Sequence, residues 1–173
     1  MRVDIREYGD GNPGATNVFR AGNNYAGIAA LLLDISKAAM PVGVAYNILG
    51  IRGLPMFLIG LAPVLGHIYS PFLGLKGGKA LAVSLGTWIG LTVWKVSAPA
   101  ALAAILGSML LTSTGWAVVL ALTVILVVII IWLPDSLLIA TWISQAGLLV
   151  WTHRADLKQL PQVRPWRKNI GDT

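Results

Sequence analysis

Residues 116–132, WAVVLALTVILVVIIIW, constrain the fold more than any other part of this sequence, because they contain no charged side chain. A run of this kind approaches the ~20 apolar residues that a helix needs to cross a bilayer. The composition agrees, since 56% of the 173 residues are hydrophobic and 12% are charged, whereas soluble domains carry about 25% charged residues. The sequence therefore predicts an integral membrane protein.

Glycine, proline and charged residues divide the apolar sequence into six segments. These comprise residues 25–49, 54–66, 81–96, 99–111, 116–132 and 136–151. The second and fourth are short for a full crossing, so each is expected to be tilted, re-entrant or longer than its apolar part. We predict an all-α, polytopic membrane helical bundle of about six transmembrane or re-entrant helices, formed as a single domain over residues 1–173.

Lys and Arg are divided unequally between the two ends of this predicted bundle. If all six segments cross, Lys37 falls inside the first, and the poorer face carries Arg52 and Lys95. The richer face carries ten: Arg2, Arg6, Arg20, Lys76, Lys79, Arg154, Lys158, Arg164, Arg167 and Lys168. Because positively charged loops stay in the cytoplasm, the N-terminal segment, the loop after the second helix and the C-terminal tail are predicted to meet on that face. This asymmetry also explains the net charge of +6, so no nucleic-acid partner is predicted.

The N-terminal polar segment, GDGNPGATNVFRAGN at residues 9–23, has the composition of an anion site. Gly14 exposes backbone N–H groups, Thr16 and Asn17 add neutral hydrogen-bonding groups, and the Arg20 guanidinium suits phosphate. Together they favour an anion cradle. A flexible turn that ends in the N-cap of the first membrane helix is the alternative interpretation.

The second polar segment, GHIYSPFLGLKGGKALAVSLG at residues 66–86, places glycines beside two lysines just before a predicted helix. Backbone N–H groups at a helix N-terminus, with the ammonium groups of Lys76 and Lys79, suit a phosphate. The spacing does not match a nucleotide-binding P-loop. A tight interhelical turn, preceded by an interfacial histidine at His67, is the alternative.

The third polar segment begins where the last apolar segment ends, in THRADLKQL at residues 152–160. His153 and Arg154 stand at a helix C-terminus, which favours cations, so they either complement the helix end or contribute to the site. The stretch RPWRK, residues 164–168, is most simply interpreted as an anchor to lipid headgroups.

Asp34 and Lys37 lie three residues apart within the first apolar segment and so share a helix face. Charges at that depth normally point inward, and the pair is either a mutually neutralised structural pair or part of the site. Cysteine is absent, and His67 and His153 lie far apart, so no disulfide, thiol chemistry, metal site or other cofactor is predicted.

Together these stretches resemble the acyl-phosphate-dependent glycerol-3-phosphate acyltransferases of bacteria, the PlsY family. The resemblance is carried by DIREYGDGNPGATNVFRAGN, the Asp34/Lys37 pair, GHIYSPFLGLKGGKALAVSLG and THRADLKQL, in the order of the three family motifs. It implies a multi-pass protein of the bacterial inner membrane whose motifs face the cytoplasm. It also implies acyl transfer from acyl phosphate to the 1-hydroxyl of sn-glycerol 3-phosphate, giving 1-acylglycerol 3-phosphate (lysophosphatidic acid) and phosphate. The expected partners are these two substrates and membrane lipid.

The resemblance also implies roles for individual residues. The backbone at Gly77 and Gly78, with Lys79, is expected to hold the acyl phosphate. Glycerol 3-phosphate is expected to be bound or oriented by Arg20, Asn17 and His153. His67 is expected to support the loop or contact phosphate.

Several positions differ from the family pattern. Asp10 stands where Ser is usual, Asp156 where Asn is usual, Gln159 where Arg is usual and Ala80 where Gly is usual. The further apolar helix that family members typically have before the first motif is absent, so we expect a truncated start, a shortened relative or a partner-completed fold. Because added carboxylates repel phosphate, a divergent paralogue with another acceptor or without catalysis is one alternative. A small membrane transporter, which would place polar groups near mid-bilayer, is the other.

Overall fold

The computed structural model describes residues 3–164, and helices dominate it. A 3-10 turn, Ile5–Glu7, and a short helix α1, Ala15–Arg20, precede six longer helices. These are α2 (Asn24–Gly43), α3 (Gly53–Ile68), α4 (Leu81–Thr92), α5 (Ser97–Leu110), α6 (Thr114–Trp132) and α7 (Ser136–Thr152), and a single turn, α8 (Arg154–Leu157), follows them. Three stretches are long and apolar enough to cross a membrane, namely Asn24–Ile48, Gly53–Leu73 and Thr114–Trp132, while α4, α5 and α7 are shorter apolar helices. The predicted all-α, polytopic membrane fold is confirmed.

The six predicted segments correspond to α2–α7, with differences at their ends. α2 continues through a π-helical turn, Val44–Ile48, before the chain reverses. The predicted segment 81–96 is too long, because α4 ends at Thr92 and Val93 takes a φ of +57°. Hydropathy does not mark this break, because Val93 is as apolar as the helix before it.

The helices alternate in direction and return the three polar segments to one end of the bundle. Lys79 Nζ lies 2.7 Å from Asp10 Oδ2 and 2.7 Å from Asp156 Oδ2, so the N-terminal segment, the glycine-lysine loop and the tail meet at one side chain. This confirms the predicted convergence. Three of the basic residues assigned to this face, Arg2, Arg167 and Lys168, lie outside the described residues.

Small residues bring α2 and α4 into close contact. A Cβ at Gly86 would overlap the carbonyl oxygen of Ile35, and one at Gly90 would lie 2.8 Å from the backbone nitrogen of Gly43. Close backbone approach at glycines is a common way for membrane helices to associate, because lipid supplies no hydrophobic driving force between them. The α2–α4 contact fixes the position of α4, the helix that Lys79 and Ala80 precede.

Replacing Gly86 with alanine is expected to destabilise the bundle, because the added methyl group has to displace the backbone of α2. Overpacking of this kind typically costs about 1–3 kcal/mol. The melting temperature of the purified protein in detergent measures the effect. Gly147→Ala is the matched control, since no atom lies within 4 Å of its Cβ position apart from its chain neighbours and the backbone of its own helix. Equal melting temperatures for the two variants would contradict the close packing of α2 on α4.

Candidate active site

A cavity of about 510 Å³ begins where the three polar segments meet and extends between the helices. Its polar lining comes from all three segments and from α2 and α3. These groups include Asp10, Asn12, Thr16, Arg20, Asp34, His67, Lys79, His153 and Arg164. Residues that are remote in sequence therefore line one open cavity.

The rest of the cavity wall is mostly apolar and is formed mainly by α4, α5 and α6, which add only the hydroxyl groups of Ser84, Ser108 and Thr114. It consists largely of small or aliphatic side chains, including Leu81, Leu85, Ala101, Ala104, Ala117, Ala121 and Ile125. A polar end joined to an apolar groove matches an amphipathic ligand, whose charged group and hydrocarbon chain need opposite surroundings.

Lys79 is the electrostatic centre of the polar end. Its ammonium group is ion-paired with both Asp10 and Asp156, at 2.7 Å each. Thr114 Oγ1 also donates to Asp156 Oδ2, at 3.3 Å. Burial alone would lower the pKa of Lys79, but the hydrogen bonds to the two carboxylates outweigh burial and raise that pKa above its usual value. Lys79 is therefore a permanent cation in this cavity.

The buried side chain of Asn17 links three residues of the N-terminal segment by hydrogen bonds. Its side chain is 1% exposed, and its Nδ2 donates to Asp10 Oδ1 and to the Asn12 carbonyl, at 2.9 Å each. Its Oδ1 accepts from Arg20 Nη1 at 3.2 Å. Asn17 thus orients Arg20 and Asp10, and it is not among the residues that line the cavity.

Asp10 is ionised over the whole physiological pH range. Burial by itself would raise its pKa, but hydrogen bonds from Lys79, Asn17 and the Asn12 backbone lower that pKa from 3.8 to about 2. A carboxyl group whose pKa is lower in the folded state stabilises the fold above its unfolded pKa, and this stabilisation is lost as pH falls towards the folded pKa.

We therefore expect Asp10→Asn to lower the melting temperature at pH 5 and to have almost no effect near pH 2. Melting curves in detergent across this pH range measure the difference between variant and wild type. Asp4→Asn, which removes an exposed ion pair with Arg6, is the control and should change the melting temperature less. A pH-independent effect of Asp10→Asn would contradict the Lys79–Asp10 ion pair.

His153 caps the C-terminus of α7 and is buried, with 4% exposure. Its Nδ1 lies 2.9 Å from the Leu149 carbonyl oxygen, and because that oxygen can only accept, Nδ1 carries the proton. Burial lowers the pKa of His153, so the ring is neutral at pH 7 and its Nε2 is an acceptor. Thr152 Oγ1 donates to the Lys79 carbonyl at 3.1 Å, which ties this helix end to the glycine-lysine loop.

The glycines of that loop serve packing and loop geometry. The Gly77 N–H donates to the Ile68 carbonyl at 2.9 Å, and the Gly78 N–H donates to the His67 carbonyl at 3.2 Å. A Cβ at Gly77 would overlap the His67 carbonyl oxygen, and one at Gly78 would overlap the His67 ring. The predicted role of these two N–H groups in holding a phosphate is therefore not supported, because carbonyl groups at the end of α3 already accept hydrogen bonds from both.

The glycine-lysine loop also borders a second, smaller pocket of about 250 Å³. Four predicted substrate-binding residues lie here and not in the main cavity: Lys76, Gly77, Gly78 and Arg154. Arg154 stacks on the Trp151 ring at 4.8 Å, and its Nη1 donates to the Trp151 carbonyl at 2.8 Å. The motif residues thus divide between two sides of the loop.

The Asp34/Lys37 pair belongs to the margin of the main cavity. Lys37 Nζ lies 2.7 Å from Asp34 Oδ1 and 2.5 Å from His67 Nδ1. Asp34 and His67 line the cavity, whereas Lys37 lies behind them. Of the other predicted residues, Gly14, Thr16, Arg20, Lys79 and His153 all line the cavity.

Sequence reasoning missed three participants. It treated Asp10 and Asp156 only as departures from a pattern, although both contact Lys79, and it interpreted Arg164 as a headgroup anchor, although Arg164 lines the cavity. Opposite charges in segments predicted to converge were a usable signal for the first two. Within residues 3–164, no group of three or more His, Asp or Glu side chains is arranged to hold a metal ion.

Comparisons with known proteins agree on one family. The family described as glycerol-3-phosphate acyltransferase matches residues 1–162. A glycerol-3-phosphate acyltransferase of Aromatoleum aromaticum is 39% identical over 159 residues, covering 91% of this chain and 79% of the relative. One from Desulfovibrio desulfuricans is 36% identical over 168 residues, covering 91% and 70% of the two chains.

Solved structures give the same result. The crystal structure of PlsY (YgiH), an integral membrane glycerol 3-phosphate acyltransferase, in its glycerol 3-phosphate form aligns with a TM-score of 0.83 at 29% identity, over 91% of this chain and 78% of that one. The lysophosphatidic acid form aligns with a TM-score of 0.78 at 28% identity, over 86% and 76%. The chain therefore belongs to the glycerol-3-phosphate acyltransferase family of integral membrane proteins, the PlsY family.

Proposed function

We propose that this protein transfers an acyl group from acyl phosphate to the 1-hydroxyl of sn-glycerol 3-phosphate, producing lysophosphatidic acid and phosphate. The observation that carries the proposal is the single cavity in which Arg20, Lys79 and His153 stand at the polar end of an apolar groove. Both substrates bring a phosphate, and one brings a hydrocarbon chain. The two parts of the cavity match these two requirements.

The apolar groove between α4, α5 and α6 receives the acyl chain in this proposal. Its alanine-rich wall leaves room for an extended hydrocarbon, and because the chain comes from lipid and not from water, the groove positions the donor and gains little hydrophobic free energy. The activated carbonyl carbon then lies at the junction with the polar end. Because phosphate is already a good leaving group, the reaction needs no Ser or Cys nucleophile, and positioning with electrostatic stabilisation supplies the rate.

The acceptor binds at the polar end. Arg20 and Lys79 contact its phosphate, and His153 Nε2 accepts a hydrogen bond from the 1-hydroxyl. The hydroxyl oxygen attacks the acyl carbon, the bond from that carbon to the phosphate oxygen breaks, and the hydroxyl proton leaves to His153 Nε2 or to a substrate phosphate. Substitution of His153 by Gln distinguishes these two proton acceptors, because the Gln amide oxygen can still accept the hydrogen bond from the 1-hydroxyl but cannot take its proton. A large loss of kcat is expected only if His153 is the base.

In this proposal the protein lies in a bacterial inner membrane, and the polar end of its cavity faces the cytoplasm. The support is the excess of Lys and Arg at this end, against Arg52 and Lys95 at the other, because positively charged loops are retained on the cytoplasmic side. The water-soluble acceptor then enters from the cytoplasm, and the acyl donor enters from the membrane.

The test is an assay of the purified protein with acyl phosphate and radiolabelled glycerol 3-phosphate. We expect labelled lysophosphatidic acid with acyl phosphate and none with acyl-CoA at the same concentration. Product formed only from acyl-CoA would contradict the donor assignment. Folded protein that forms no product from either donor would contradict the activity.

A second acceptor class is favoured by one observation, the pair of carboxylates that neutralise Lys79. A polyol without a phosphate would meet less repulsion at this end of the cavity. Glycerol supplied in place of glycerol 3-phosphate tests this alternative, and faster acylation of glycerol would establish it.

A further inference from the structure

The C-terminal tail folds back across the turn between α5 and α6. The Trp116 ring nitrogen donates to the Gln159 carbonyl at 2.8 Å, and the Thr112 N–H donates to the Gln162 carbonyl at 2.9 Å. Val163 forms an antiparallel bridge with Leu111. These bonds lead the tail to the cavity mouth.

Arg164 is held there by its own backbone and side chain. Its N–H donates to the Leu110 carbonyl and its Nε donates to the Leu111 carbonyl, both at 2.8 Å. The two bonds fix the base of the guanidinium group, and because Arg164 is exposed, its two Nη atoms are accessible to a ligand at the cavity mouth. Arg164 lines the cavity together with Arg20, Lys79 and His153.

The charge balance of the cavity shows what Arg164 adds. Among residues 3–164, the cavity is lined by three cations, Arg20, Lys79 and Arg164, and by two carboxylates, Asp10 and Asp34. Without Arg164 the lining would be neutral. Two charges just outside the lining, Asp156 paired with Lys79 and Lys37 paired with Asp34, cancel each other in this balance. A ligand phosphate therefore meets a net positive charge only because Arg164 is present in addition to Arg20 and Lys79.

We propose that Arg164 binds a substrate phosphate at the cavity mouth, in addition to Arg20, which lines the same cavity. The planar fork of a guanidinium group suits phosphate oxygens. This inference rests on the proposed function for the identity of the ligand, which is the phosphate of either glycerol 3-phosphate or acyl phosphate.

Arg164→Gln is the test variant, because its amide can still donate to the Leu111 carbonyl while the charge is lost. The KM values for glycerol 3-phosphate and for acyl phosphate are measured separately. We expect one of them to rise about tenfold, with kcat nearly unchanged, and the one that rises identifies whose phosphate is bound. Arg164→Lys, which keeps the charge, should restore part of the affinity. Lys158→Gln, an exposed cation on the same tail, is the matched control and should match wild type.

A binding measurement separates this inference from the proposed function. Inorganic phosphate should raise the melting temperature of wild type and of Lys158→Gln, and should raise that of Arg164→Gln much less. If this pattern holds without any acyl transfer, the proposed function fails and the role of Arg164 stands. Unchanged phosphate protection and unchanged KM values in Arg164→Gln would overturn the inference. A lower melting temperature and a lower kcat with both KM values unchanged would also overturn it, because Arg164 would then only hold the tail in place.

Discussion

Replacing Lys79 with alanine is expected to lower kcat/KM for glycerol 3-phosphate by about a hundredfold. Truncating one partner of a buried, hydrogen-bonded charge pair costs about 2–5 kcal/mol, and the lower end applies here because 21% of the Lys79 side chain is exposed. The loss also leaves Asp10 and Asp156 facing each other without a cation. The substrate phosphate would then meet two unpaired carboxylates. Steady-state kinetics of the purified variant, with melting temperatures to verify folding, measure the loss.

The control for Lys79→Ala is Lys95→Ala, which removes an exposed lysine from the turn between α4 and α5. A triple variant, Lys79→Ala with Asp10→Ser and Asp156→Asn, separates stability from binding. It removes the unpaired carboxylates and should recover the melting temperature while activity stays low. Full activity in Lys79→Ala would show that the cavity around this lysine is not the phosphate site.

The second large effect is expected from removing the carboxylates themselves. A phosphate within about 5 Å of a carboxylate is repelled by about 3 kcal/mol at an effective dielectric constant of 20. The Asp10 side chain is 38% exposed, so solvent screens part of this repulsion. We therefore expect Asp10→Ser to lower the KM for glycerol 3-phosphate by about tenfold, and Asp156→Asn to act in the same direction, because both changes release Lys79 towards the ligand.

Competition between glycerol 3-phosphate and glycerol, measured in wild type and in the double variant Asp10→Ser with Asp156→Asn, is the most informative assay. Asp4→Ser, which breaks an exposed ion pair with Arg6 and does not change the cavity lining, serves as the control. If the double variant loses activity with glycerol 3-phosphate, the expected decrease in KM is contradicted. The carboxylates would then contribute to acceptor binding, and the acceptor of this protein would carry fewer negative charges than glycerol 3-phosphate.

Sequence reasoning recovered the fold because hydropathy and charge asymmetry act over whole segments. The run at residues 116–132 predicted a membrane helix, and the distribution of Lys and Arg predicted that Lys79 and His153 lie at the same end of the bundle. Both residues line the cavity. Such signals are local in sequence and need no knowledge of packing. They predicted which segments meet and could not predict which atoms meet.

The details that escaped prediction all depend on tertiary contacts. Gly77 and Gly78 resemble a phosphate loop by composition, yet their N–H groups reach the last carbonyls of α3, where a helix C-terminus leaves acceptors unsatisfied. Arg164 lines the cavity where Val163 pairs with Leu111 and Arg164 itself bonds to Leu110 and Leu111. Neither contact has a sequence signature, since each joins residues that are distant along the chain or depends on where a helix ends.

An experimental structure with glycerol 3-phosphate bound is the most direct test of a single phosphate-binding cavity at the meeting point of the three segments. We predict that the phosphate lies within hydrogen-bonding distance of Arg20 and Lys79, with the 1-hydroxyl directed at His153 Nε2. A phosphate bound instead in the smaller pocket, against Lys76 and Arg154, would contradict that prediction.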